Sequence, residues 1–181
     1  MAARERLPTN LPNFLDLVKN PSIATLMSDA RLNIVLYQPE IAYNTGSVGR
    51  TCVGLGAKLW LVRPLGFQID DRQLRRAGLD YWPALDWEAV DDWNALTRRL
   101  ARRRFLFFTK TAAKPYTDVA YESGDVLVFG RESNGLPREM LESRPGQCVR
   151  IPIRPEARSL NLSVSVAVAA FEACRQMSLR E

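Results

Sequence analysis

Short runs of apolar residues recur along the chain from Leu32 onward, and polar or helical stretches separate them. Continuous apolar runs of this kind are typical of parallel strands that are buried on both faces. A chain that alternates them with helical segments is typical of an α/β domain. We therefore predict an α/β fold with a mostly parallel sheet and helices on both faces. The predicted strands are Asn33–Tyr37, Lys58–Val62, Phe105–Thr109, Val126–Phe129 and Cys148–Ile153.

Three segments between or after these runs are predicted to be helical. Ser47–Leu55 is the first, and Trp93–Arg104 is the second, with apolar side chains on one face and arginines on the rest. The third, Ser159–Met177, is ambiguous because its first half alternates like a strand and its second half has helical spacing. No turn signal interrupts about 18 residues, so length favours a buried helix.

The domain organisation follows from chain length and from where the alternation begins. With 181 residues, of which 46% are hydrophobic, the chain is long enough for one ordinary domain and short for two. Residues 1–31 contain three prolines and two short amphipathic stretches, and the strand and helix pattern starts only after them. We predict an N-terminal extension over residues 1–31 and one domain over residues 32–181.

The net charge of the chain points to a polyanionic partner. The formal net charge is +5, mainly from arginine, whose planar guanidinium pairs with phosphate at two points. A polyanion such as RNA suits this excess. A soluble protein that happens to be basic is the alternative explanation.

Histidine and cysteine usage restricts the chemistry further. Histidine is absent, which removes the usual general base and the commonest metal ligand, so we expect no metal. The cysteines Cys52, Cys148 and Cys174 are far apart, odd in number and set among apolar neighbours, as buried thiols in a reducing compartment are. No leader pattern opens the chain, and no apolar run approaches the ~20 residues of a membrane-spanning helix. We therefore expect a cytoplasmic protein without a membrane partner.

Three segments that include or follow the ends of predicted strands carry polar loops, at the sheet edge where open α/β folds bind ligands. They are Pro39–Arg50, Asp125–Pro137 and Arg150–Leu162. Glycines in the first two permit close approach of the backbone to a ligand or to another loop. Considered one at a time, each is also explained as a strand followed by an ordinary turn.

Single residues in these segments have structural interpretations too. Ser159 or Asn161 is a good N-cap for the C-terminal helix. Asn44 is placed to cap the helix after the first strand, and the free backbone N–H groups there favour an anion such as RNA phosphate. Arg50 would lie in the second turn of that helix, where an arginine is more often a surface charge.

The three segments together form an ordered set of motifs. They read Pro-Glu-Ile-x-x-Asn-Thr-Gly-x-x-x-Arg, Phe-Gly-x-Glu-x-x-Gly-Leu-Pro and Ile-Pro-Ile-x-x-x-x-Arg-Ser-Leu-Asn-Leu-Ser-x-x-x-x-Val. In this order they resemble the motifs of the SPOUT superfamily, in its branch that methylates ribose 2′-hydroxyls of tRNA and rRNA. The resemblance covers about Leu32–Gln176. The stretches Pro64–Phe67 and Arg75–Tyr81 look most like members that act at the wobble nucleotide 34 of tRNA.

The resemblance implies an S-adenosylmethionine-dependent tRNA (ribose-2′-O)-methyltransferase that works as a homodimer and releases S-adenosylhomocysteine. It also implies a deep C-terminal trefoil knot, an exception to the rule that chains do not thread loops. Carried onto this sequence, the cofactor-binding residues are expected to be Phe108, Thr109, Gly130, Glu132, Ile151, Ile153, Ser159 and Leu160.

The implied catalytic residues are Arg50, Asn44, Glu132, Ser159 and Asn161. Methyl transfer to a ribose oxygen requires alignment of the reactants and stabilisation of negative charge on that oxygen. Because a guanidinium is effectively always protonated, Arg50 is expected to hold the RNA phosphate and the incipient alkoxide rather than act as a base. Asn44, Ser159 and Asn161 are expected to position groups, and Glu132 to orient Arg50 or a backbone amide.

The expected RNA contacts are arginines in two clusters, which would neutralise phosphates and make the affinity fall as salt rises. They are Arg72, Arg75, Arg76, Arg154 and Arg158.

Other functions stay open at this point. The same chemistry at another tRNA position or in rRNA is one, and a non-catalytic RNA-binding module on the same fold is another. A doubly wound nucleotide-binding oxidoreductase is a third, although no glycine-rich fingerprint follows the first strand.

Overall fold

The computed structural model describes residues 32–68 and 81–178, and the predicted extension over residues 1–31 lies outside this range. In the described part, six parallel strands form one sheet in the order β3-β2-β1-β5-β4-β6. The strands are β1 Asn33–Tyr37, β2 Lys58–Val62, β3 Trp87–Val90, β4 Phe105–Phe108, β5 Val126–Phe129 and β6 Cys148–Val149.

Four α-helices accompany the sheet in the described residues. They are α1 Ala42–Leu55, α2 Trp93–Arg99, α3 Arg138–Glu142 and α4 Leu162–Ser178, with short 3₁₀ turns at Trp82–Ala84, Tyr116–Asp118 and Pro145–Gln147. None of the helices that the structure describes combines the length and the apolar character needed to cross a membrane.

Alternate side chains of the strands enter two separate cores. In β1, Ile34 and Leu36 belong to the core that also contains residues of α1 and α4, whereas Val35 belongs to the core that contains residues of α2 and α3. Both sets are completely buried, which explains why the strands read as continuous apolar runs instead of alternating ones. The predicted α/β class, with a parallel sheet and helices on both faces, is confirmed.

The C-terminal segment was ambiguous in the sequence and is a helix in the structure, as predicted, with one face buried. Ala169, Ala170 and Ala173 of α4 have no exposed surface, and they lie in the same core as Val48 and Cys52 of α1. Small side chains let the two helices approach each other and the sheet closely. Val164 and Phe171 of the same helix are exposed, so α4 is buried on one face and not on all sides.

Several boundaries differ from the prediction, among them the start of α4 at Leu162 instead of Ser159, and one strand was missed. β3 escaped notice because Glu88 and a half-buried Trp87 and Ala89 interrupt the apolar pattern at this sheet edge. The predicted strand Cys148–Ile153 stops at Val149, where β6 pairs with β4 alone and Pro152 follows without a backbone donor. The strand Phe105–Thr109 ends at Phe108, and α2 ends at Arg99 instead of Arg104.

Candidate active site

A pocket of about 900 Å³ opens at the carboxyl ends of β1, β4, β5 and β6. Its walls come from the start of α1, from the loops after β4 and β5, and from the segment between β6 and α4. Apolar side chains make up much of the lining, including Phe129, Ile151, Ile153 and Leu160. Its size and lining are those of small-molecule sites in proteins.

Most of the predicted site residues line this single pocket. All eight residues predicted to bind the cofactor do so: Phe108, Thr109, Gly130, Glu132, Ile151, Ile153, Ser159 and Leu160. The pocket also contains Asn44 and Asn161 of the predicted catalytic set and Arg158 of the predicted RNA contacts. The structure therefore brings the three motifs together, and the role of each residue stays a prediction.

Gly130 is required by close backbone packing in the loop after β5. A Cβ atom at this position would overlap with the carbonyl carbon of Gly135 and the amide nitrogen of Leu136. Arg131 and Gly135 exchange two backbone hydrogen bonds of 3.1 and 2.9 Å, which fold the loop back on itself. Gly135 has a φ of 68°, a conformation that side chains with a Cβ rarely adopt. The two glycines thus shape the rim of the pocket.

Glu132, at the tip of this loop, binds the start of α1. Its carboxylate accepts hydrogen bonds from the backbone amides of Glu40 at 2.8 Å and Ile41 at 3.3 Å, and from Asn44 Nδ2 at 3.0 Å. A negative charge at a helix N-terminus is favourable because the helix dipole is positive there. Glu132 therefore occupies the position that the sequence suggested for an external anion.

The helix start corrects two predictions about α1. Ile41 holds the N-cap position, and its side chain makes no capping hydrogen bond, so the prediction that Asn44 caps the helix was wrong. The predicted helical segment was Ser47–Leu55, whereas the helix in the structure spans Ala42–Leu55. It begins at Ala42 because the Glu132 carboxylate, 90 residues away in sequence, satisfies amides at this end.

Asn44 links this carboxylate to the third motif. Its Oδ1 accepts a hydrogen bond of 3.0 Å from Asn161 Nδ2, while its own Nδ2 donates to Glu132. Asn161 Oδ1 in turn accepts from the backbone amides of Ser163 at 2.8 Å and Val164 at 3.4 Å. Of the two N-cap candidates for α4, Asn161 is the one that caps. Two side-chain hydrogen bonds thus connect Glu132, Asn44 and Asn161, one residue from each of the three motifs. We call this set of three residues the amide relay.

Glu40 and Ser133 form a second tie between the first two motifs, which the sequence reasoning did not single out. Ser133 donates from its backbone amide at 2.9 Å and from its hydroxyl at 2.8 Å to the Glu40 carboxylate. These bonds lower the pKa of Glu40 from its ordinary value, the side-chain bond most strongly. The only signal in the sequence was that Glu40 belongs to the first motif.

The rim of the pocket carries positive charge. Glu132 is the one acidic residue among the lining side chains that the structure describes. The four basic residues that line the pocket are Lys110, Arg131, Arg138 and Arg158. Arg131 is tied to Gln38 by a hydrogen bond, and Arg138 pairs with Glu142 at 2.5 Å. An anionic ligand is therefore favoured at this mouth.

Arg50 is separated from the rest of the predicted catalytic set. It lines a second depression, of about 480 Å³, together with Tyr43, Tyr81 and Phe171, and it is not among the residues that line the larger pocket. Its guanidinium carbon lies 4.8 Å from the centre of the Tyr81 ring. The structure of one chain thus brings Asn44, Glu132, Ser159 and Asn161 together and leaves Arg50 elsewhere.

The other predicted RNA contacts differ in position. Arg154 and Arg158 are exposed in the segment before α4, and Arg158 lines the pocket. Arg72, Arg75 and Arg76 lie outside the residues that the structure describes.

No disulfide joins Cys52, Cys148 and Cys174, and burial raises the pKa of Cys52 to about 12 and that of Cys174 to about 11. Thiols with such pKa values stay protonated and are poor metal ligands at neutral pH. Across residues 32–68 and 81–178, no group of three or more cysteine, aspartate or glutamate side chains is placed to hold a metal ion.

The fold and the pocket define a general class, an α/β domain with a small-molecule site at the carboxyl ends of parallel strands. Comparison with known proteins narrows this class. The profile of the SpoU rRNA Methylase family matches residues 31–171, and the chain belongs to this family. The family membership predicted from the three motifs is confirmed.

Individual relatives cover nearly the whole domain. The tRNA (cytidine(34)-2'-O)-methyltransferase of Burkholderia cenocepacia (strain HI2424) is 49% identical over 148 residues, which are 80% of this chain and 94% of that protein. A solved structure described as giving structural insights into the 2-OH methylation of C/U34 on tRNA has 44% identity and a TM-score of 0.79, and the match covers 84% of this chain and 99% of that one.

A more distant structure shares the fold. The AdoMet-bound rRNA methyltransferase from Sinorhizobium meliloti is 24% identical with a TM-score of 0.72, over 81% of this chain and 57% of that one.

Proposed function

We propose that this protein transfers a methyl group from S-adenosylmethionine to the ribose 2′-hydroxyl of nucleotide 34 in tRNA. The observation that carries the proposal is the amide relay, which assembles the three motifs of the family around one pocket. Relatives that are up to 49% identical and aligned over most of their length bear the name of this activity. The basic rim of the pocket suits a polyanionic substrate.

The pocket fits the cofactor in size and chemistry. Its volume of about 900 Å³ and its apolar lining suit a nucleoside with a short aliphatic chain. Phe108, Ile151 and Ile153 would hold the flat and aliphatic parts, and Ser159 and the loop at Gly130 would supply polar groups. When bound, S-adenosylmethionine supplies an electrophilic methyl group on its sulfonium, and S-adenosylhomocysteine is the product that must leave.

The protein's own residues position the reactants and stabilise charge. Glu132 fixes the start of α1 through two backbone amides, so the loops that form the pocket are held in register before any ligand binds. Such preorganisation places reacting groups at a low entropic cost. The Arg50 guanidinium stabilises the negative charge that develops on the 2′-oxygen and does not act as a general base.

The separation of Arg50 from the pocket supports a homodimer. Within one chain, Arg50 lies on a different face of α1 from Asn44, in a depression beside the exposed rings of Tyr43 and Phe171. Large exposed aromatic side chains on neighbouring helices are typical of protein interfaces. Two copies that pair through α1 and α4 would bring Arg50 of one copy to the pocket of the other. Sedimentation at micromolar concentration tests this, and a monomer there contradicts it.

We place the trefoil knot at the segment between β6 and α4. This segment leaves the sheet at its β6 edge, and α4 returns to pack beside α1. The connection from β4 to β5 touches the start of this segment and the last turns of α4, because Tyr116 N donates to the Arg150 carbonyl and Tyr121 N donates to Gln176 Oε1. A crystal structure in which the chain passes beside this connection without threading it would contradict the knot.

The remaining partners follow from the substrate. Arg154 and Arg158 are proposed to contact RNA phosphates near the pocket. The methylation is proposed to take place in the cytoplasm, where tRNA is processed. The binding constant for tRNA should fall steeply as salt rises, and an affinity independent of salt would exclude these contacts.

The test of the function uses two matched tRNA substrates. The purified protein is incubated with methyl-labelled cofactor and with one tRNA sequence, made with either ribose or 2′-deoxyribose at nucleotide 34. The proposal predicts labelling of the ribose substrate at nucleotide 34 and none of the deoxy substrate. Equal labelling of both would assign another position. In a parallel incubation with rRNA fragments, labelling of those fragments alone would assign the rRNA activity.

A further inference from the structure

We propose that Tyr81 is a positioning residue that holds the Arg50 guanidinium in the orientation needed for methyl transfer. This inference rests on the proposed function of Arg50 and deepens it.

Two contacts place Tyr81 along one turn of α1. The Arg50 guanidinium carbon lies 4.8 Å from the centre of the Tyr81 ring, and the Tyr81 hydroxyl donates a hydrogen bond to the Gly46 carbonyl. Gly46 and Arg50 are four residues apart and therefore lie on the same face of the helix. The ring thus spans the surface between them, with its hydroxyl fixed at one end and the cation over its face.

The backbone after Tyr81 is itself fixed to α1. The 3₁₀ turn Trp82–Ala84 follows directly, and a Cβ atom at Gly49 would come within 3.0 Å of Leu85 Cδ2 and 3.2 Å of the Trp82 ring. Trp82 packs against Trp87 of β3 with ring centres 5.4 Å apart. The absence of a side chain at Gly49 therefore permits close packing that holds the neighbouring Tyr81 in place.

The contact with Tyr81 restricts the Arg50 side chain before the reaction. Arg50 is exposed, and a long side chain with many rotamers loses freedom when it must hold one geometry. An aromatic face attracts a guanidinium through the ring quadrupole and allows it to keep its in-plane N–H donors for other partners. Tyr81 therefore lowers the entropic cost of presenting those donors to a developing negative charge.

The test compares Tyr81→Leu with the conservative variant Tyr81→Phe. We expect Leu to slow single-turnover methyl transfer by about tenfold at saturating cofactor and RNA, because the cation loses its aromatic face. Phe keeps the face and should stay within about threefold of the parent rate, since only one hydrogen bond is lost. Cofactor affinity, measured by calorimetry, should be unchanged in both variants, because Tyr81 is not among the residues that line the larger pocket.

A double-variant cycle and a spectroscopic signal separate positioning from folding. In an Arg50→Ala background, Tyr81→Leu should change the residual rate by less than about twofold, because the residue through which Tyr81 acts is gone. In the parent protein, the Arg50 side-chain N–H resonance should carry a ring-current shift that Tyr81→Phe retains and Tyr81→Leu abolishes.

Several results would overturn the inference. They are a parent-like rate for Tyr81→Leu, an equal loss for Tyr81→Phe, a full tenfold loss in the Arg50→Ala background, or the absence of the ring-current shift. Failure of the proposed function is distinguishable, because the parent protein would then methylate no tRNA while the Arg50 resonance still reported the ring.

Discussion

The two faces of α1 that carry the first motif differ in what surrounds them. Asn44 is buried and belongs to the amide relay, whereas Arg50, six residues later, is exposed beside Tyr81 in a separate depression. Six residues correspond to about 9 Å along a helix and about 120° around its axis. One motif therefore contributes to two surfaces, and a single copy of the chain presents the pocket without Arg50, the residue that we propose to stabilise the developing charge.

The largest expected effect is at Arg50. Arg50→Ala should reduce methyl transfer by at least about 10²-fold, the usual cost of losing a group that stabilises transition-state charge. Cofactor affinity should stay unchanged, since Arg50 does not line the pocket. Single-turnover kinetics and calorimetry measure the two quantities. Arg98→Ala, at an exposed arginine of α2, is the matched control, and equal activity of both variants would contradict the role of Arg50.

A substitution on the pocket side should instead weaken cofactor binding, which Arg50→Ala should leave unchanged. Gly130→Ala forces a Cβ into the backbone of Gly135 and Leu136, so the loop must move and cofactor binding should weaken by about 10²-fold or more, the cost of losing a few kcal/mol of fit. Gly146→Ala is a suitable control, because nothing lies within 4 Å of a Cβ at that glycine. Parent-like cofactor affinity of Gly130→Ala would show that this loop does not shape the site.

An intermediate effect is expected for Glu132→Gln. The amide side chain retains one acceptor oxygen but loses the charge at the helix N-terminus and one acceptor of the relay, at a cost of about 1–3 kcal/mol of folding stability. Thermal melting should detect the loss, and Glu139→Gln, at an exposed glutamate of α3, should melt close to the parent. A melting temperature equal to that of the parent would mean that the relay contributes nothing to stability.

The smallest effect is expected for Asn161→Ala. The variant loses the cap of α4 and the bond to Asn44, for which about 1–2 kcal/mol of unfolding free energy is typical. Denaturant unfolding measures it. Asn161→Asp keeps the capping oxygen but cannot donate to Asn44, so it should recover part of the loss; full recovery would show that only the cap matters.

The sequence predicted the sheet class because completely buried parallel strands leave an unmistakable apolar signal, as Ile34 to Leu36 show. It missed β3, where Glu88 at the sheet edge breaks the pattern. The pocket residues could be predicted because they occur in motifs at strand ends. The start of α1 and the tie from Glu132 to Asn44 could not be, since contacts between residues almost 90 positions apart leave no local periodicity.

The position of Arg50 likewise could not be predicted from the local sequence. Motif membership placed Arg50 in one catalytic set with Asn44, and helical geometry separates the two side chains. Nothing in the local sequence of α1 tells which of its faces lies at the larger pocket and which lies at the depression that contains Arg50.

Mixing two inactive variants tests most directly whether the site is shared between copies. Arg50→Ala lacks the charge and keeps the pocket, whereas Gly130→Ala lacks the pocket and keeps the charge. After co-refolding in equal amounts, random pairing leaves about a quarter of the sites with both an intact pocket and an intact Arg50 from the partner. A site shared between copies should restore about that fraction of the parent methylation rate. A mixture no more active than the two variants measured separately would contradict it.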